Sequence, residues 1–534
     1  MTADGDLFRR GPVLAWIGFL ALCLGMFMAI LDIQIVASSL PQIQAGSHIP
    51  RDQLNWVQTS YLIAEVVAIM LTGWLTPALS TGGLFTLSVV CFSLASLGCG
   101  AADSFAGLIG CRVVQGFFGG AIIPTVFTAG YRIFPPQLQA RATLIAGLFA
   151  VMAPTVGPCL GGYITQNYDW RWVFWINPGP GLVVALVAWR TIRIDRPDFA
   201  RWRHIDFVSA IAIAVALASF EIVLSGAPRD GWGSPKSLGL IVLCGASAVW
   251  GVRRCLGKQD PLVDFRFFRQ SLFASACGLN FVLGMGLYGS VYLLPLFLGY
   301  VRQHSALETG AIMTVMGAAQ LLSAPLAAYA EQRLSRAVVT GIGFALFGMG
   351  LLVNGFETPA SDAPQLVLPQ VLRGVAVLTC LIPVTNAALM GQDPADLPQA
   401  SALLNLIRNL GGAIGISVVD TFINLRPPAL GAGLEERLMK GDRATAAFVG
   451  LPLDRFHGTP IGPITAIERG FVEPLVHRAA ATMAFNEAWL LLGAVMLLAI
   501  CLTPFLRSGG ATPSNIPTPS RSPPIPLQPR KRPF

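Results

Sequence analysis

Fourteen apolar runs follow one another along this chain, at 13–38, 55–78, 83–102, 106–130, 142–165, 172–191, 206–226, 236–253, 272–298, 308–330, 336–356, 365–390, 400–424 and 484–506. Each is roughly 20 residues long, the length a helix needs to cross a bilayer, and none shows the alternation of a half-buried strand. The pattern predicts an all-α polytopic membrane protein with 14 transmembrane helices. Most polar breaks between the runs are short. The exception is 425–483, which carries turn signals at Pro427-Pro428 and Gly458-Thr459-Pro460 and amphipathic stretches at 433–450 and 465–482, so it is expected to be folded at least in part. After Leu506 the chain turns rich in Pro and Ser and ends in Arg530-Lys531-Arg532, a composition that cannot build a core and predicts a disordered tail.

Charge orients the runs. Arg9, Arg10, Arg132, Arg141, Arg190, Arg193, Arg253, Arg254, Arg333 and Arg336 fall on one set of short loops, whereas the opposite set holds only Arg51, Arg171, Arg229, Lys236 and Arg302. Basic flanks resist translocation, so both termini are expected in the cytoplasm of a cell whose inner membrane the chain spans. The first run continues past Asp32 with no cleavage-like end and is expected to be retained as a span.

Composition narrows the function further. Hydrophobic residues make up 54% and charged residues 12% of the 534, with a mean hydropathy of +0.63, outside the range of a soluble domain. The net charge of +8 is scattered over loops and forms no single basic face, which argues against nucleic acid. The ten cysteines show no metal-ligand spacing, and the five histidines fall in loops or at their edges. No catalytic triad, phosphate loop or metal cluster is apparent, so neither an enzyme nor a cofactor is expected.

Against that apolar background, ionisable residues inside the runs stand out because burying a charge in hydrocarbon is costly. Asp32, Glu65, Arg112 and Arg373 all fall roughly 10 to 15 Å below the external face, counting about 1.5 Å per residue, and so are expected to share one polar layer. Arg408 is expected in the cytoplasmic half of span thirteen, and Glu221 at the interface near the outer end of span seven. Pro154, Gly157, Pro158, Gly161 and Gly162 notch span five, where small residues permit close helix contact and prolines permit kinks. Arg112 with Gln115-Gly116 in span four is echoed by Arg373-Gly374 in span twelve, and Gly161-Gly162 in span five by Gly411-Gly412 and Gly415 in span thirteen. Two six-helix halves therefore flank spans seven and eight, the layout of alternating-access transporters. The domains expected are a cytoplasmic N-terminus (1–12), an N-terminal half (13–191), a linker holding spans seven and eight (192–271), a C-terminal half including the external loop (272–506), and the tail (507–534).

Four ordered motifs carry a resemblance. Leu31-Asp32-Ile33-Gln34-Ile35-Val36 leading to Leu40-Pro41, Arg112-Val-Val-Gln115-Gly116, Gly157-Pro158-Cys-Leu-Gly161-Gly162, and Trp170-Arg171-Trp172 followed by Asn177-Pro178-Gly179-Pro180-Gly181 resemble those of the fourteen-helix drug/proton antiporters of the major facilitator superfamily, the EmrB/QacA type. The resemblance implies proton-coupled efflux of lipophilic or cationic toxic compounds, with the proton gradient in place of any cofactor. It also implies Asp32 and Arg112 as coupling or substrate residues and the notched face of span five as hinge; Glu65, which no motif covers, joins them by its place inside span two, and Arg373 and Arg408 are read in the same way as a polar layer of the second half. A periplasmic adaptor is a partner that the external segment would suit. A same-fold exporter of a defined metabolite or siderophore, and a sensor or scaffold that binds without turnover, remain the alternatives. One departure is plain: the loop after span two reads Gly73-Trp74-Leu75-Thr76-Pro77-Ala78-Leu79-Ser80-Thr81-Gly82-Gly83, without the charges that normally latch the inner side, leaving Arg132, Arg141, Glu331 or Arg333 to substitute.

Overall fold

In the computed structural model, residues 11–47, 56–200, 206–258, 261–461 and 466–507 are described. They contain 14 helices long and apolar enough to cross a membrane. The first thirteen are α1 (Pro12–Ser47), α2 (Trp56–Leu79), α3 (Thr81–Gly100), α4 (Phe105–Ile133), α5 (Pro136–Asn167), α6 (Pro178–Thr191, preceded by the single turn Trp172–Trp175), α7 (Phe207–Asp230), α8 (Pro235–Leu256), α9 (Ser271–Tyr300), α10 (Ala306–Arg333), α11 (Arg336–Asn354), α12 (Ala363–Leu389) and α13 (Leu397–Leu425). Two short helices, α14 (Pro427–Met439) and α15 (Arg443–Val449), precede the last membrane helix, α16 (Ala466–Leu498). No strand occurs among the described residues. With fourteen crossings, the ends of the described chain share one side, here the terminal side; α14 and α15 lie on the opposite, far side.

The internal repeat appears in the packing. In the first half α1 packs on α5, α2 on α4, and α3 on both α4 and α6; in the second, α9 packs on α13, α10 on α12, and α11 on both α12 and α16. Each pairing has its counterpart eight spans later, the mark of a parallel repeat. Glycine sets the closest approaches. A Cβ at Gly116 or Gly120 would overlap the carbonyl oxygens of Tyr61 and Glu65 on α2, and one at Gly374 that of Met316 on α10. In bilayers such small-residue contacts replace the hydrophobic effect as the force joining helices.

The halves meet on two flanks, α5 against α10 and α2 against α13. On the first, a Cβ at Gly310 would overlap the Cys159 backbone, and one at Gly317 would press on Thr155. On the second, the linker helix α7 lies across both α2 and α13, with α8 outside it. In α8 only 11% of the most apolar window is buried, and Val242, Val249 and Trp250 are exposed, as suits a lipid-facing helix.

The last span differs from the expected 484–506. The helix begins at Ala466 and runs unbroken to Leu498, followed by a 3-10 segment, so the amphipathic stretch 465–482 is the extension of a membrane helix and not a separate element. Its far-side turns, with Val476, Ala479 and Ala480, close a small core against Leu434, Leu438, Ala446, Val449 and Phe456. The C-terminal tail from residue 508 lies outside the described residues.

Gly120→Leu should force α2 and α4 apart and lower stability by about 1–3 kcal/mol, the usual cost of overpacking. Gly239→Leu on α8, where nothing lies within 4 Å, should be neutral. Thermal unfolding of the two detergent-purified variants checks this; equal melting temperatures would contradict the packing role of Gly120.

Candidate functional site

Asp32 and Arg112 are both fully buried and form an ion pair, Arg112 Nη1 lying 2.6 Å from Asp32 Oδ2. Two amides complete the carboxylate's shell: Gln115 Nε2 donates to Oδ1 at 3.0 Å and Asn177 Nδ2 to the same oxygen at 2.8 Å. The guanidinium is held as firmly. Nε donates to the Val57 carbonyl at 3.0 Å, Nη1 also donates to Gln115 Oε1 at 2.8 Å, and its carbon sits 4.3 Å from the centre of the Tyr61 ring. Asn177 is braced by Ser96, whose hydroxyl lies 3.0 Å away and donates to the Phe174 carbonyl at 2.8 Å. The pair thus ties α1, α2, α3, α4 and the break before α6 together at one point.

Local sequence explains these placements. Arg112 and Gln115 are three residues apart on α4 and share a face, so both reach α1. Asn177 caps the start of α6 just before Pro178, its backbone carbonyl accepting from the Gly181 N–H at 2.9 Å while its side chain turns inward.

The other candidates are not all gathered here. Glu65, on α2, is 4% exposed and lies within electrostatic reach of Arg112 and Arg408, yet no hydrogen bond or ion pair engages it among the described residues. Arg373 stays in the second half: its Nε donates to Pro369 at 3.4 Å and its guanidinium stacks 5.0 Å from the Trp489 ring centre, with no carboxylate in ion-pair range among the described residues. Arg408 is buried, donates to Asn405 Oδ1 at 2.6 Å and approaches the Phe127 ring of the first half at 6.0 Å. Of the notched face of α5, Gly157 packs so tightly on α1 that a Cβ would overlap that of Gln34; Pro154, Pro158, Gly161 and Gly162 lie within the same continuous helix.

On the terminal side, the charge missing from the loop after α2 comes from elsewhere. Asp195, beyond α6, accepts from the Thr81 backbone N–H at 2.9 Å and hydroxyl at 2.8 Å, and pairs with Arg132 Nη1 at 2.6 Å. Arg132 Nη2 then donates across the halves to the Pro394 carbonyl at 2.6 Å. A second bridge runs from Tyr131, whose hydroxyl donates to Asn386 Oδ1 at 2.5 Å, through Asn386 Nδ2 to Glu331 Oε1 at 2.6 Å. Arg132 and Glu331 are therefore in this contact, while Arg333 lies 5.5 Å from its neighbour Tyr329's ring and Arg141 is exposed. Asp195 and Asn386 carry no mark in the sequence, whereas Gln115 and Asn177 lie inside the motifs of spans four and six, the signal by which they can be found.

The major facilitator superfamily profile matches residues 22–258 and 276–426. The chain belongs to this superfamily and to its EmrB type. It is 32% identical to the colistin resistance protein EmrB of Acinetobacter baumannii, covering 93% of this chain and 97% of that one. It is 30% identical to the multidrug export protein EmrB of Escherichia coli K12, over 75% and 79% of the two chains. Among solved structures, the proton:xylose symporter XylE superposes with a TM-score of 0.56 at 12% identity, covering 93% of this chain and 96% of that one. The human organic anion transporter MFSD10 gives 0.54 at 14%, covering 90% and 99%. The chain is thus a multi-pass membrane protein with the fold of a transporter.

Asp195→Asn should weaken the terminal-side closure by about 1–3 kcal/mol, the cost of a lost charged hydrogen bond. Spin labels at Gln137 and Asp393 would read this as a larger population at long separation; an unchanged distance distribution would show that Asp195 does not hold the halves together.

Proposed function

We propose that the chain is a proton-coupled efflux transporter that exports lipophilic or cationic toxic compounds across the inner membrane by alternating access, with both termini in the cytoplasm. The observation that carries this reading is the fully buried Asp32–Arg112 pair and its amide donors, built from the motifs of spans one, four and six. The concentration of arginines on the terminal side supports the orientation. The printed names of the two EmrB relatives, a colistin resistance protein and a multidrug export protein, support the class of cargo.

The geometry suggests how the coupling works. Ionised Asp32 answers the charge of Arg112 and accepts from Gln115 and Asn177, which clamps α4 and the start of α6 onto α1. Protonation cancels that charge, leaves the guanidinium uncompensated, and removes the reason for the clamp, so the helices can shift when the site faces water. Each exchange of a proton for cargo then moves one half against the other, with Gly157 and its neighbours as the sliding surface on α1. No covalent chemistry and no cofactor are needed beyond the proton gradient. In this reading Glu65 adds attraction for cationic cargo, and Arg373 and Arg408 serve the second half. The folded far-side segment formed by α14, α15 and the start of α16 would offer a docking surface to a periplasmic adaptor.

Asp32→Asn keeps size and polarity but cannot titrate. Uphill efflux of the lipophilic cation tetraphenylphosphonium, driven by an imposed pH gradient in proteoliposomes, should fall to the level of empty vesicles, while Glu65→Gln should lose only part. Full uphill efflux by Asp32→Asn with unchanged pH dependence would make Glu65 the coupling residue instead.

A further inference from the structure

Glu221 was expected at the membrane interface. It lies instead at the α2–α13 flank, on the linker helix that covers it, and is only 5% exposed. Its depth matches that of Glu65: Glu65 is nine residues inside α2 from Trp56, and Glu221 nine residues inside α7 from Asp230, two ends on the same side. At about 1.5 Å per residue both carboxyls sit roughly 13 Å deep. α7 packs directly on α2, and Glu221 lies within electrostatic reach of Glu65, as do Arg112 and Arg408. Val223, Leu224 and Ala227 of α7 form a small core with Ala413 and Ile414 of α13, which seats α7 on that flank.

Neither carboxyl has a hydrogen bond or ion pair among the described residues, although both are more than nine-tenths buried. The neighbouring charges do not fill that need. Arg112 is taken by Asp32, and Arg408 points its Nη2 at Asn405. Tyr288 of α9 donates to Asn409, while Asp420 of α13 accepts from Tyr292. Cys244 of α8 stands beside Ser219, away from the pair. Two neighbouring, largely buried carboxyls without partners cannot both carry charge cheaply, whereas one proton bound to either relieves the repulsion between them.

We propose that Glu221 and Glu65 form a two-carboxyl site that binds one proton at the α2–α7–α13 seam, separate from the Asp32–Arg112 pair, so that the linker helix takes part in coupling. Binding forms one carboxyl O–H bond; release breaks it and passes the proton to water on whichever side the seam opens. The idea rests on the reading of the chain as a proton-coupled transporter, but its test needs no transport.

Infrared titration of the purified full chain in lipid nanodiscs, with pH varied and no cargo added, follows the carbonyl stretch of protonated carboxyls. In the wild type a band should titrate that belongs to the pair. With Glu221→Gln the remaining carboxyl loses its like-charged neighbour, so the midpoint should fall by about one pH unit or more, a tenfold weaker hold on the proton. Glu65→Gln reads the same coupling from the other partner, so the test does not depend on one variant folding. Midpoints unchanged in both variants, or a wild-type spectrum with no band that either variant alters, would overturn the site. Either result is possible with uphill efflux intact or absent, so a failure here is distinct from a failure of the transport reading.

Discussion

The cost of burying charge in hydrocarbon is the constraint on which this structure turns. A lone Arg112 in α4 would be expensive, and a lone Asp32 in α1 equally so. Together, at 2.6 Å and with two amide donors, they become tolerable and bind four helices at one point. Buried pairs of this kind add little net stability against an apolar alternative, but breaking one leaves an uncompensated charge. That asymmetry is what the proposed proton coupling needs: an arrangement that is rigid in one protonation state and unstable in the other.

The two halves share their packing but not their chemistry. Gly116 and Gly374 make equivalent close contacts on α2 and α10, yet Arg112 has an acid where Arg373 has the Pro369 carbonyl and the Trp489 ring. The flanks are unequal as well. The α5–α10 flank is lined by glycine and small side chains, whereas the α2–α13 flank holds Glu65 and Arg408 and is covered by α7 with Glu221. Within the membrane helices the buried carboxyls Asp32, Glu65 and Glu221 therefore lie in the first half and the linker. On the terminal side, the acid absent from the loop after α2 is supplied by Asp195, which occupies the start of α3 through Thr81 and reaches the other half through Arg132.

Much of this was legible in the chain because a bilayer demands visible things of a sequence. Apolar runs must reach about 20 residues, and any charge inside one must have a reason, so the spans and the pair of Asp32 and Arg112 could be found by inspection. Partnership across distance could not. Gln115 and Asn177 meet Asp32 from 83 and 145 residues away, and nothing local in either motif says that both amides turn to the same oxygen. Asp195, lying between Arg193 and Arg196, looks like an ordinary loop charge until Thr81 and Arg132 are seen around it. Glu221 lies deeper than an interface because α7 continues to Asp230, past the end of its apolar run at 226, and α7 packs on α2. The start of α16 was missed because a helix that leaves the bilayer turns from uniformly apolar to amphipathic while its backbone continues unchanged.

In the proposed mechanism cargo binding and the proton on Asp32 are linked. Proton release by the purified protein in weakly buffered detergent solution, measured as tetraphenylphosphonium is added, tests this most directly. The wild type should release protons on binding, and Asp32→Asn should bind without that release. Equal release by both proteins would contradict it.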